Sequence, residues 1–396
     1  MTEFYCEAVQ LGKIGKHPNA DTLSITTVYG RPVIFKSGEF QPGDTAVYIP
    51  VDAVVDTDRP EFSWLAEKST CTGLHRVKAT KIRGIPSHGF LVNPDPKLNI
   101  VPGQKCMALY GVKKYDPGPC YQQGGAISGE AVRAPQEGIV PTYDIESLRR
   151  YSNLLIEGEE VWVSEKIHGS NGRWAYIDGQ LYCGSRTRFR RDSVWNQVAE
   201  LHNLQGVLSL PENHGLVLYG EVYGPGIQDL TYGKEKPDVV FFDVYDTQSG
   251  KWYDFYQFRD WLRKYSLPCV PHLYRGSFNL KDCMAMAEGQ STLQEGTVRE
   301  GIVVKPTTER WNQDIGRVFL KLPGEGYLLR KDPNRDLSFY RNQCTDTDSQ
   351  ATTGDSSESI TPAEQTATLT EVSWLTRIMI LMQRLWLWLN SPSKDQ

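Results

Sequence analysis

The chain has 396 residues, 39% of them hydrophobic, 11% aromatic and 23% charged. This length accommodates more than one domain, and the composition excludes a disordered or fibrous protein. The formal net charge is −5, but residues from 345 onward account for −4 of it, so the body is near neutral and charge neither suggests nor excludes a nucleic-acid partner.

The eight cysteines form no C-x-x-C pair. Their scatter argues against a zinc site and for reduced thiols in a reducing compartment. The opening "MTEFYCEAVQ" has neither the basic nor the apolar region of a signal peptide, so a cytoplasmic location is expected.

Residues 1–125 read as a β-rich domain. "SITTVYGRPVIF" and "DTAVYIPVDAVV" are β-branched runs separated by the turn "KSGEFQPGD", and "RVKATKIRGIPSHGFLV" adds two strands. Short strands at this spacing suggest a small barrel. "HPNADTLSI" followed by "KIRGIPSHGFLV" resembles the OB-fold module of tRNA-binding, EMAP-like proteins; an ordinary turn feeding a strand is the alternative. Arg76, Lys78, Lys81 and Arg83 cluster in "HRVKATKIRG" and would suit a polynucleotide backbone.

"YDPGPCYQQGGAISGEAVRAPQEGIVP" reads as a Gly/Pro-rich joint, and "YDIESLRRYSNLL" as a short helix entering a second domain, 140–342. There strands alternate with a helical stretch near "RDSVWNQVAELHNL". Residues 345–371 contain no aromatic, lysine or arginine and read as a disordered linker. Residues 372–390, "VSWLTRIMILMQRLWLWLN", reach the lower limit of a membrane span, but Arg377 and Arg384 favour an amphipathic helix on a membrane surface or a protein partner. A helix packed on its own domain and a true anchor are the alternatives.

The chemistry gathers in the second domain. "EVWVSEK" reads as a strand delivering Lys166 to its end, and "HGSNG" as a turn that brings backbone amides and Asn171 toward a ligand. Alone, K-x-H-G describes a surface turn. Further segments follow in order: "CGSRTR" with Arg186, "VLYGEVYGPGIQ" with Glu221, and "DVVFFDVYD" with Phe242 before Asp243. "REGIVVKP" then carries Glu300 and Lys305, and "RVFLKLP" carries Lys321. Each could be a core strand or a surface turn; together, in this order, they point to one site.

The ordered set resembles the covalent nucleotidyltransferases, specifically the ATP-dependent RNA ligases. The histidine of "KIHG" is similar to the type-2 RNA ligases, and the OB-like module in front resembles the Deinococcus-type enzymes. The resemblance implies an α+β chain: an OB-like β-barrel, then an ATP-grasp-like adenylyltransferase domain of antiparallel sheets with helices. It implies that Lys166 attacks the α-phosphate of ATP, that AMP passes to an RNA 5′-phosphate, and that a 3′-hydroxyl displaces it. ATP with Mg²⁺ or Mn²⁺ would be the cofactors, and nicked duplex RNA or an RNA–DNA hybrid the partner.

A lysine titrating near ~10.4 needs its pKa lowered by roughly three units to attack at neutral pH. Lys305, Lys321 and a divalent metal would do this. By the resemblance, Glu300 would serve the metal, Glu221 the ribose hydroxyls, Phe242 the adenine face, and Arg186 and Lys321 the phosphates. His168 would act on lysyl-AMP or the RNA end, Asn171 would sit near the 3′-hydroxyl strand, backbone near Glu165 would contact adenine, and Arg173 would belong to the cofactor site. Pro323 stands where type-2 ligases often carry a second lysine, leaving Lys331 or Arg330 to substitute. Arg186, Arg188, Arg190 and Arg191 in "RTRFRRD" read as a nucleic-acid patch or a solvated charged face. A DNA ligase, a capping enzyme and a non-catalytic RNA-binding protein are the competing readings.

Overall fold

A computed structural model describes residues 6–68, 73–115, 129–134, 138 and 140–330. In the N-terminal region the β-branched runs form short antiparallel strands. Thr45–Ile49 lies between Glu7–Gln10 and Phe90–Val92, and Gly15–His17, Ala20–Val28 and Arg31–Lys36 form a meander. Ala53–Asp56 pairs with Leu74–Arg76 and Lys113–Lys114. The hairpin of Ala79–Ile82 with Ile85–His88 turns through Arg83 and Gly84 at φ 49° and 90°, a turn that matches strand twist.

The two quoted pieces of the OB-like motif touch. The His17 ring nitrogen Nδ1 accepts the Asn19 amide at 3.0 Å, leaving Nε2–H for the Ile82 carbonyl at 3.1 Å, and Asn19 Nδ2 donates to the Arg83 carbonyl at 2.9 Å. The turn thus staples the first hairpin to the second.

In the second region, two sheets carry the site. The larger runs Glu130–Val132, Phe189–Arg191, Gln180–Ser185, Ser170–Ile177, Leu216–Tyr223, Asp238–Asp246 and Lys251–Trp252. The smaller runs Glu146–Ser147, Leu320–Pro323, Gly301–Pro306, Glu160–Lys166 and His272–Ser277. Trp174, Trp195, Phe241 and Phe258 fill the main core behind them. The predicted helix near "RDSVWNQVAELHNL" is Val194–Leu201, begun by a reciprocal cap between Ser193 and Asn196.

Three local expectations are corrected. "YDIESLRRYSNLL" supplies the strand Glu146–Ser147, parallel to Leu320–Pro323, with Leu148 buried; only Ser152–Leu154 coils, as a 3₁₀ turn. A segment this short gains more from sheet pairing and core burial than from helix formation. Within the expected joint, Glu130–Val132 is an edge strand paired to Phe189–Arg191. The helix Phe255–Lys264 was not expected from the sequence, although Asp254 and Gln257 cap it reciprocally.

The expected linker 345–371 and apolar helix 372–390 lie outside the described residues. Among the described residues no helix is long and apolar enough to cross a membrane. The two regions meet where Arg150 Nη1 donates to Glu7 Oε1 at 2.6 Å and its guanidinium lies 4.5 Å over the Tyr29 ring, beside Arg149 donating to the Gly30 carbonyl at 2.8 Å.

Candidate active site

Lys166 ends the strand Glu160–Lys166 opposite Gly301, so the residue before that glycine, Glu300, comes beside it. Its Nζ lies 2.8 Å from Glu300 Oε1. Gly301 has φ 152°, and a Cβ there would stand 2.2 Å from the Leu322 carbonyl oxygen, so the strand can start so close to Leu320–Pro323 only with glycine. Gly169 has the same role on the other sheet: a Cβ would lie 2.2 Å from the Val222 carbonyl oxygen. That close approach brings Glu221 toward the lysine.

Burial alone would lower the Lys166 pKa, but Glu300 and Glu221 together raise it above its ordinary value. The expected depression is therefore absent from this arrangement. Glu221 is half-buried, and desolvation with the nearby Glu300 pushes its carboxyl up to about 8. Lys321, half-buried, is pushed down to about 8 by desolvation and by the nearby charges of Lys166 and Lys114. Glu300 Oε2 and Asn171 Oδ1 are buried without a hydrogen-bond partner.

A cavity of about 520 Å³ is lined by Lys166, Asn171, Arg186, Glu221, Phe242, Lys305 and Lys321, with Glu165 and Lys114 also on its wall. Phe242 reaches it because pairing skips from Tyr219–Asp243 to Gly220–Phe241, making Phe242 the extra residue of a bulge that re-aims a side chain. Arg186 enters beside Asp144, with which it is ion-paired.

Lys305 is bound from below. Its Nζ donates to Asp243 Oδ2 at 2.5 Å and to the Phe242 carbonyl at 3.0 Å. Asp243 Oδ2 also receives Tyr143 at 2.7 Å and Arg317 at 2.6 Å, and Arg317 is held in turn by Glu309. Lys305 lines the cavity, yet its ammonium is committed to a buried carboxylate.

His168 sits in its own network. Its Nε2 is 2.6 Å from Asp229 Oδ1, Tyr327 hydroxyl is 3.0 Å from Nδ1, and the Tyr232 hydroxyl accepts its amide at 2.7 Å. Burial would raise the Asp229 pKa, but His168 and Arg330 hold it well below the usual carboxylate range. An anionic Asp229 assigns the ring proton to Nε2 and leaves Nδ1 to accept from Tyr327. Arg330, considered above for phosphate, donates from Nη2 to both Asp229 carboxylate oxygens at 3.0 and 3.1 Å and lies 3.7 Å over the Tyr327 ring. Lys331 lies outside the described residues.

Two other residues have side chains engaged outside the cavity. Arg173 shares a strand face with Asn171 but lies two residues further along, roughly 6.6 Å away. It is buried with its guanidinium 4.3 Å over the Phe189 ring and does not line the cavity. The Glu165 carboxylate is fully buried, accepting Ser291 Oγ at 2.5 Å and the Thr292 amide at 2.8 Å, so the residue ties down a loop. The arginine patch is largely engaged: Arg191 pairs with Glu130 at 2.7 Å and Arg190 donates to the Gly129 carbonyl at 3.0 Å.

Asp229, Tyr327 and Lys114 were missed from the sequence. Asp229 follows "YGPGIQ" directly and was legible as a histidine partner; Lys114 had no local signal, since only the packing of the two regions brings it in.

Residues 159–322 match the RNA ligase family, and residues 8–94 match an OB-fold domain. The OB-fold match thus precedes the RNA-ligase match along the chain, the order that the sequence resemblance implies. An RNA ligase of Naegleria gruberi with PPi superposes with a TM-score of 0.71 at 23% identity, over 81% of this chain and 97% of that one. A variant of that ligase with ATP and Mn gives 0.70 at 22% identity over the same shares. The α+β architecture expected from the sequence, an OB-like barrel followed by a nucleotidyltransferase-type domain, is the one found.

Proposed function

We propose that the protein is an ATP-dependent RNA ligase that seals a 3′-hydroxyl to a 5′-phosphate at a nick in duplex RNA or an RNA–DNA hybrid. The observation that carries this reading is Lys166, ending its strand against Glu300 and Glu221 in a cavity where Lys321 and Arg186 converge. The first domain, 1–125, would hold the polynucleotide, and 140–342 would carry the chemistry.

Lys166 Nζ would attack the α-phosphorus of ATP, forming a P–N bond as pyrophosphate leaves. An RNA 5′-phosphate oxygen would then displace the lysine, and a 3′-hydroxyl would displace AMP. Glu300 Oε2, buried without a partner, suits a divalent ion held by few carboxylates and phosphate oxygens; among the described residues no group of three or more His, Cys, Asp or Glu could hold one alone. Such an ion, when bound, neutralises charge on the triphosphate. Drawing Glu300 away from Lys166 removes the largest force raising that lysine's pKa, and Lys321 then disfavours its ammonium form. Phe242 offers a face for adenine, Glu221 can take ribose hydroxyls, and Arg186 and Lys321 meet the phosphates. Tyr327, donating to His168, keeps Nδ1 oriented over the lysine's carboxylate partner, 3.9 Å from Glu300 Oε2.

Incubation with α-labelled ATP and Mg²⁺ or Mn²⁺, followed by nicked duplexes differing in sugar on either side, tests the proposal. Label should pass from protein to the RNA 5′ end and be released as AMP on sealing. A protein that takes no label, or seals only DNA, would overturn it.

A further inference from the structure

The largest cavity among those described lies in the N-terminal module, away from Lys166. It measures about 850 Å³. Phe35, Val77, Phe90 and Leu91 contribute apolar walls, with Lys36 and Lys78 among the lining residues. Trp64, on the 3₁₀ turn Ser63–Lys68, stands at this cavity 52% exposed. Its indole N–H donates to the Glu61 carbonyl at 3.2 Å, and its ring sits edge-on to Phe90 at 5.2 Å and 79°. The ring is therefore fixed in place while half of it faces outward.

Leaving an indole half in water forgoes apolar burial that a plain barrel would take. The charge beside it indicates what covers the ring. Lys36 and Lys78 are exposed, Lys81 and Arg83 are exposed on the adjoining hairpin, and Glu39 is the one acid on the lining. Arg76, expected to contact a polynucleotide, is instead bound to Asp52 at 2.6 Å and lies 3.8 Å over Tyr115, so it braces the wall. A π-faced, negatively charged polymer matches a fixed ring flanked by cations, and single-stranded RNA is that polymer.

We propose that this cavity takes one unpaired base of an RNA strand, stacked on Trp64, with the neighbouring phosphates on Lys36 and Lys78. This rests on the RNA-ligase reading for the identity of the polymer. Lys36 lies five residues along its strand from Arg31, roughly 16 Å. Arg31 lies close enough to Arg149, Glu288 and Glu325 to feel their charges. This cavity and the one around Lys166 share no lining residue, so the base site stands apart from the nucleotide site.

The test uses the full chain and a fluorescent oligouridine, with anisotropy read at several salt concentrations. Trp64→Ala should weaken binding about tenfold, and Trp64→Phe should restore most of it. Lys36→Ala with Lys78→Ala should flatten the log–log salt slope by about 1.4. In the unaltered protein a 5-iodouridine oligonucleotide should photo-crosslink to the peptide carrying Trp64, a readout that needs no variant to fold. A crosslink confined to other peptides, or Trp64→Ala binding as tightly as the unaltered protein, overturns the site. Self-adenylylation with labelled ATP should be unchanged in the Trp64 variants. Trp64-dependent binding in a protein that never labels would sink the ligase reading alone; labelling without Trp64 dependence would sink the base site alone.

Discussion

The strand Gly301–Pro306 has two ends with opposite electrostatic character. At its far end Lys305 is closed: one carboxylate oxygen of Asp243 takes Lys305, Tyr143 and Arg317 together, and Glu309 grips Arg317 behind. At its near end Glu300 is open, with one oxygen on Lys166 and the other buried with no hydrogen-bond partner. A fully satisfied polar cluster fixes geometry, and an unsatisfied one waits for a ligand. The strand thus holds a rigid brace five residues from the proposed reactive centre, and under that proposal the difference separates residues whose loss harms stability from those whose loss harms chemistry.

Lys166→Ala should abolish covalent labelling by α-labelled ATP while thermal unfolding stays close to the unaltered protein, and Lys166→Arg should be equally dead because arginine stays protonated. Labelling that survives either change would break the comparison at its open end. Asp243→Ala should instead cost about 3–5 kcal/mol, since Lys305 would remain buried without a counter-charge while Arg317 kept only Glu309. Calorimetry should show the loss as a lowered Tm, and an unchanged Tm would mean that the closed end is no brace.

Glu300→Gln is expected to split two readouts. Without the carboxylate, the Lys166 pKa should fall, so an amine-selective acylating reagent should modify that lysine faster near pH 8. Adenylylation should drop by ~10²-fold, because the same oxygen is needed with the triphosphate. Parallel loss of both would mean that Glu300 acts only by holding the fold.

Lys114→Ala should slow lysine adenylylation by about fivefold, the worth of one solvent-screened ion pair. A fragment of residues 140–342 lacks that cation and should show at least the same deficit. Equal rates would show that Lys114 touches the cavity without serving it.

The smallest expected effect concerns pH. Glu221 has its pKa raised to about 8, so its contribution to stability is full below its ordinary value near 4.5 and is lost as pH rises through about 8. Lys321, lowered to about 8 from 10.5, works the other way: its contribution is full above 10.5 and is lost as pH falls through about 8. Between pH 5 and pH 7 the Glu221 effect dominates, and the Tm of the unaltered protein should decline relative to Glu221→Gln by a few degrees. A constant difference across that window would contradict the desolvation of Glu221.

Much of the site was legible because its residues fall at strand ends, where a short motif fixes both position and direction. "SEK" ends a strand, "REG" leads into one and "YGE" lies two residues short of a strand's end, and the glycines mark backbone approaches that exclude a Cβ. Function within the cavity was harder to separate from support beneath it. Lys305 and Arg173 sit on the correct strands, but a side chain's partner depends on what packs behind, and Asp243 and Phe189 decide that. Lys114 and the Glu7–Arg150 contact were beyond reach, since they arise from segments far apart in sequence. Short segments misled in another way. "YDIESLRRYSNLL" has helical residues, yet pairing beside Leu320–Pro323 overrides local preference.

The central claim is that the open end of this strand serves one nucleophile. Its most direct test is peptide mapping by mass spectrometry of the full protein after incubation with ATP and Mg²⁺, without RNA. A single adenylate on the peptide containing Lys166, reversed by added pyrophosphate, is the predicted result. An adenylate on Lys305, Lys321 or His168 instead, or none on any peptide, would contradict it.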